Sequence, residues 1–202
     1  MSSLPNTLNY FVTPEEYLER ERRAEYNSEY FAGEIVAMAG AKRSRSLVCG
    51  NVTTSLGTQL RDSPCEVYAN DMKVRADQLR QYSYPDVVVV CGEPQFQDNQ
   101  DDVLLNPTVI VEVLLPSTES RDRGEKFLRY RQIASLTDYL LIAQNERRVE
   151  QFTKQPDGSW RLVETFGAGE INLASIGCTL SLADVYNKVK LEPGLRISEE
   201  PR

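Results

Sequence analysis

Hydrophobic and polar positions change period several times along the chain, and each change marks an element. Thr13-Pro14-Glu15-Glu16 is a capping box with proline at the first helical position, so a helix starts there and runs through TPEEYLERERRAEY. Its charges are many and its apolar anchors few, which predicts a peripheral helix. Residues 34–39 alternate as a strand bracketed by Gly33 and Gly40. Leu47, Val48, Val52, Leu56 and Leu60 recur at helical spacing, so a second helix is expected over 46–61, ended by Ser63-Pro64. The basic residues before it, Lys42, Arg43 and Arg45, fit a solvated loop.

Residues 65–76 read as one strand with a polar interruption at Asn70-Asp71. Residues 84–91 and 108–115 are almost uniformly apolar, the signature of strands buried on both faces. Between them 92–106 is acidic and aperiodic, so a surface loop is expected. Pro116 stops the second of these strands. Ser117, Thr118 and Ser120 then offer caps for a helix from about 121 to 134. Residues 138–143 (DYLLIA) form another strand, and RVEQFTK and WRLVETF make a hairpin around Pro156-Asp157-Gly158-Ser159. Residues 171–189 supply a short strand and a closing helix, before a polar tail over 191–202 expected to fray. The central order is helix, strand, strand, strand, helix, strand. That is a mixed α/β layer with pieces added at both ends.

The length of 202 residues suits a single domain spanning 1–202, with its core at about 46–143. The net charge of −7 argues against tight nucleic-acid binding through charge alone. It leaves room for an enzyme that reaches phosphates through a metal. The chain has no histidine, which removes Ser/His and Cys/His nucleophiles, His-ligated zinc and histidine general bases together. Cys49, Cys65, Cys91 and Cys178 form no close C-x-x-C pair and sit in apolar stretches, as reduced core cysteines do. The first residues carry no basic-then-apolar signal pattern, and no run approaches the roughly 20 apolar residues of a membrane helix. A cytoplasmic protein is expected.

Within this frame two acids stand against apolar strands: Asp86 before VVVV, and Glu112 inside TVIVEVLL. A carboxylate in such a place pairs, protonates or binds a metal. On the following helix, at about 100° per residue from Lys126, Tyr130 falls at about 40°, Ala134 at about 80°, Phe127 at about 100° and Ile133 at about 340°. Lys126 therefore lies inside the apolar arc, where Glu112 can serve as its anion. A buried Glu112–Lys126 pair contributes little stability, because desolvation offsets the Coulomb term. Together with Asp86 it points to function. Two acids and a lysine suit magnesium-assisted phosphodiester hydrolysis: magnesium takes one or two carboxylates and keeps several waters, and manganese can substitute.

YPDVVVV, IVEVLLPST, DRGEKFLRYRQI, DYLLI and RVEQF…GSWRLVE resemble a bacterial restriction-endonuclease-like family, long carried as a domain of unknown function within the PD-(D/E)XK nuclease superfamily. The resemblance runs from TPEEYL to SLADVY. It implies an α/β restriction-endonuclease-like core, a mixed sheet flanked by helices, with an N-terminal helix and strand and a C-terminal hairpin extension. It implies Asp86 as the motif aspartate and Glu112 as the motif glutamate, with a magnesium ion on both. The superfamily lysine is expected two residues after the glutamate, where this chain has Leu114; in this family it moves to the next helix, where Lys126 stands. Glu29 in NSEYFAGEI matches a further family glutamate, with Glu34 its competitor. Relatives often carry a histidine near Arg45, which is absent here. Ser117 and Thr118 look like family signature residues whose capping role is sufficient. Asp71, Arg123 and Tyr130 are lesser candidates.

The expected activity is magnesium-dependent endonucleolytic hydrolysis of DNA by a homodimer. One rival is an inactive binding protein that kept the fold. The other is a metal-dependent hydrolase of a small phosphodiester or nucleotide.

Overall fold

The computed structural model describes residues 11–38, 40, 42–76, 81–115 and 119–191. Helix α1 (Pro14–Glu21) starts at the expected capping box: the Thr13 side chain accepts from the Glu16 N–H, and the Glu16 carboxylate accepts from the Thr13 N–H. It is shorter than expected and is not peripheral. Tyr17 and Leu18 are buried with Tyr30, Tyr82 and Val103 in a core of their own. Two aromatic rings spaced by hairpins, not a helical stripe, anchor it, and such contacts leave no periodic signal.

Strands β1 (Ser28–Phe31) and β2 (Glu34–Ala37) form a hairpin, of which only the second strand was expected. Its two-residue turn places Ala32 and Gly33 at φ 47° and 104°, the left-handed geometry that tight hairpins need. At Gly33 a Cβ would strike the Phe11 ring. Helix α2 (Arg43–Gln59) starts three residues earlier than apolar spacing suggested, so Arg43 and Arg45 lie in its first turn and not in a loop.

The stretch expected as one strand over 65–76 is two: β3 (Cys65–Ala69) and β4 (Lys73–Ala76). Asn70, at φ 61°, breaks them apart, and they join different sheets. β5 (Gln81–Ser83) and β6 (Val87–Cys91) follow. The expected surface loop holds β7 (Val103–Leu104), buried and parallel to β4. A two-residue strand is too short for periodicity to reveal. β8 (Val109–Leu114) comes next. The proposed caps Ser117 and Thr118 lie outside the described residues, as does the tail beyond 191.

The next helix begins at Glu119, not 121, and ends at Tyr130, not 134. It has three contiguous parts: α3 (Glu119–Arg121), a π-helical turn (Asp122–Lys126) and α4 (Phe127–Tyr130). β9 (Asp138–Ala143), β10 (Arg148–Lys154) and β11 (Trp160–Phe166) complete the expected strand and hairpin. β12 (Glu170–Leu173) and β13 (Cys178–Ser181) form a small hairpin, one strand more than expected, before α5 (Leu182–Val185).

The central sheet has the order β11-β10-β9-β8-β6-β3 and is mixed, with β8 parallel to β9 and the other pairs antiparallel. Helix, three strands, helix and strand therefore appear as α2, β3, β6, β8, the segmented helix and β9. This is the α/β arrangement expected. Alternate residues of β6 and β8 face opposite cores. Val87, Val89, Val109 and Val111 pack under α2, while Val88, Val90 and Ile110 pack against Tyr130 and Tyr139. A second sheet, β2-β1-β5-β4-β7, lies outside this order in sequence and brings β1 to the site.

The reduced-cysteine reading is half corrected. Cys49 and Cys178 are free and buried, but Cys65 and Cys91 form a disulfide. They stand directly opposite on antiparallel β3 and β6, a relation that strand pairing creates and sequence spacing does not. No described helix is long and apolar enough to cross a membrane.

Candidate active site

The register of β6 on β8 pairs Val87 with Val111, so one further step sets Asp86 beside Glu112. Both carboxylates are buried, at 1% and 3% exposure. Glu112 takes the inward position of a strand covered on both faces. Asp86 closes the end of the sheet, where its Oδ2 accepts the Val113 N–H at 2.7 Å. Its Oδ1 accepts from Arg45 Nε at 2.9 Å and from the Cys49 thiol at 3.3 Å, and Arg45 Nη2 stands 2.9 Å from it as an ion pair. Arg45 and Cys49 are one turn apart on α2, so a single helix face supplies both. The basic cluster therefore contributes an ion pair with Asp86 as well as solvated charge.

Lys126 points inward, as the helical wheel requires. Its Nζ lies 3.0 Å from Glu112 Oε1, 2.9 Å from Glu29 Oε1 and 3.4 Å from Asp122 Oδ1. The π-helical turn lets Asp122 and Lys126 both face the sheet; such single turns recur at functional sites. Tyr130 donates to Glu112 Oε1 at 3.3 Å, and the Tyr84 N–H reaches Glu29 Oε1 at 3.4 Å. Strands β1 and β8, the residue before β6, and two helices thus converge at one place.

Of the expected residues, Asp86, Glu112, Lys126 and Glu29 come together, and Tyr130 joins them. Glu34 is exposed on β2 and stays apart. Arg123 pairs with Glu150 and Glu119 instead. Asp71 accepts from Asn27 in a neighbouring hollow. Leu114 is buried in the core with no site role. Sequence reasoning missed Cys49 and Asp122. Each lies one turn along its helix, from Arg45 and from Lys126, a spacing too ordinary to single it out.

Burial drives the Glu112 carboxyl well above the usual glutamate range; Lys126 pulls it down, but Asp122, Asp86 and Glu29 push it up again. Burial also opposes the charge on Lys126, yet Glu112 and Glu29 outweigh it and hold its proton above the usual lysine range. The site carries more acids than bases: the carboxyls of Asp86, Glu112, Glu29 and Asp122 against Lys126, Arg45 and Arg121. A cleft of about 370 Å³ opens onto it, lined by Glu29, Glu112, Asp122, Lys126, Arg45 and Arg121, among others.

The donor set fits a hard divalent cation in part. Two carboxylates on adjacent strands, in a site with more acids than bases and no imidazole, match magnesium's habit of binding through one or two acids and waters. Among the described residues no three acids or cysteines form a ready cage. Asp86 Oδ1 is already engaged by Arg45 and Cys49, so a cation on that oxygen must displace a present partner, while Oδ2 accepts from the Val113 N–H.

A family model described as "Putative restriction endonuclease" (Uma2) matches residues 14–183. The chain belongs to this family. The chain is also similar to two proteins of Synechocystis sp. (strain ATCC 27184 / PCC 6803 / Kazusa). "Uncharacterized protein sll1609" is 38% identical over 156 residues, 77% of this chain and 88% of that protein. "Uncharacterized protein slr1290" is 33% identical over 175 residues, 87% of this chain and 91% of that protein. In structure the chain is similar to a protein of Anabaena variabilis ATCC 29413 described as "a putative nuclease belonging to DUF820". The TM-score is 0.71, at 16% identity over 87% of this chain and 97% of the other. That likeness carries the fold. Every predicted residue that converges at the site lies inside the family match.

Proposed function

We propose that the protein is a magnesium-dependent endonuclease that hydrolyses DNA phosphodiester bonds. One observation carries the reading: Glu112, Glu29 and Lys126, from separate elements, line one cleft, with Asp86 beside Glu112 and behind Arg45, although a stable core has no need of them. Asp86 and Glu112 would hold the magnesium ion, with manganese as a substitute. Bound there, the ion supplies a more acidic water and neutralises charge growing on the phosphate.

The chain's own groups do the rest. Lys126 carries its proton throughout and presents it where oxygen gains negative charge. Glu29 and Asp122 keep that ammonium in place. Tyr130 fixes the Glu112 carboxylate by hydrogen bonding to Oε1. The net charge of −7 becomes tolerable on a polyanion, because a magnesium ion held by these carboxylates would offset their charge where the phosphate arrives.

Plasmid cleavage with magnesium or manganese tests this. D86N, E112Q and K126A, each verified as folded, should lose about 10²–10³-fold in rate, the usual size when one preorganised charge is removed. Wild-type activity that survives in all three would sink the assignment. Cleavage of small diesters with plasmid untouched would point instead to a nucleotide or small-phosphodiester hydrolase.

A further inference from the structure

Asp86 accepts three hydrogen bonds, from Arg45 Nε, the Cys49 thiol and the Val113 N–H, and Arg45 Nη2 stands 2.9 Å from Oδ1 as an ion pair. Three of these four partners crowd Oδ1, which has about two lone-pair directions, while Oδ2 meets the Val113 N–H. A cation that takes Oδ1 must displace a partner, and one on Oδ2 meets the positive charge of Arg45 across the same carboxylate. The Val113 amide is held in the β8 strand and Cys49 is packed in the core, so neither can leave freely. Arg45 can. It sits in the first turn of α2, its side chain is 13% exposed, and its guanidinium borders two hollows at once. On one side is the cleft holding Glu29, Glu112 and Lys126. On the other is an open hollow of about 700 Å³ lined by Tyr26, Thr53 and Asp71.

We propose that Arg45 is an exchangeable counter-ion. It neutralises Asp86 while the site is empty, then yields that carboxylate and turns its donors to a phosphate of the substrate. The inference rests on the nuclease reading. Its chemistry is that of the guanidinium group, whose planar fork matches carboxylate and phosphate oxygens equally well and never loses its charge. A histidine-free site also needs some cation to keep a buried aspartate paired between turnovers.

Two reciprocal measurements test it. Titration calorimetry with manganese alone compares wild type with R45Q. The exchange predicts about tenfold tighter metal binding by R45Q, because the competitor is gone, together with slower plasmid cleavage. Equal or weaker binding by folded R45Q overturns the exchange and leaves a fixed clamp, while the metal reading stands. No manganese binding by either folded protein overturns the metal reading as well.

The second measurement needs no metal. In EDTA, D86N should bind a fluorescent duplex DNA about tenfold more tightly than wild type, since Arg45 is released. The gain should vanish in the D86N/R45Q double variant. A gain that persists there, or no gain in D86N, overturns the exchange even if R45Q alone folds poorly.

Discussion

At the residue scale, Glu112 is a buried acid at the candidate site. Burial raises its proton affinity above that of the unfolded chain. A group raised in this way contributes stability below the ordinary glutamate range, and loses it as pH rises through its folded-state value. E112Q removes the liability. We expect E112Q to melt a few degrees above wild type at pH 8, the size of a gain of about 1 kcal/mol in a domain of this length. The difference should close as pH falls below the ordinary glutamate range near pH 4. Differential scanning fluorimetry across pH checks this, and an E112Q less stable than wild type at pH 8 contradicts it. Glu112 and Lys126 were legible in sequence, since an acid in a β-run and a lysine on an apolar arc are both local anomalies. Asp122 was not, because acids one turn from a lysine are ordinary on exposed helices.

At the element scale, the two cores and their seam decide what each strand can do. Strands β3 and β6 pair over five residues, and β6 leads back to Asp86. The Cys65–Cys91 disulfide closes a loop across 26 positions at the far end of that pair. Loop-closure entropy assigns such a bridge about 3–4 kcal/mol. Reduction, or C65S/C91S together, should therefore lower the melting temperature by roughly 10 °C. Manganese affinity should be unchanged, because Asp86 lies at the opposite end of β6. Melting curves with and without reductant, followed by calorimetry, read both halves. This bridge was illegible in sequence: 26 residues separate its ends, and only the antiparallel register makes them neighbours.

At the scale of the whole molecule, the N-terminal unit and the acidic loop are tied by charge. Arg22 pairs with Asp98 and Asp102, and Lys73 of β4 pairs with Asp102 as well. The hydrogen bond from Arg22, reinforced by Lys73 and against partial burial, pulls the Asp102 carboxyl down to about 2. A depressed carboxyl contributes stability above its unfolded value and loses it as pH falls through its folded one. D102N should thus cost on the order of 1 kcal/mol at neutral pH, discounted for solvent screening, with the gap to wild type closing towards pH 2. Urea denaturation at several pH values measures it, and a pH-independent cost would assign the effect to packing instead. Because this unit carries β1, its docking also sets where Glu29 meets Lys126.

Sequence alone determined the central strand and helix order, the inward face of Lys126 and the exclusion of histidine chemistry. These follow from periodicity and composition, which are local. Tertiary structure decided which acid joins the site, Glu29 and not Glu34, since a hairpin turns one inward and the other to solvent. It also decided that Arg45 meets Asp86 across 41 positions and that two cysteines bond. Those contacts depend on register and on how two sheets abut, quantities that no window of neighbouring residues contains.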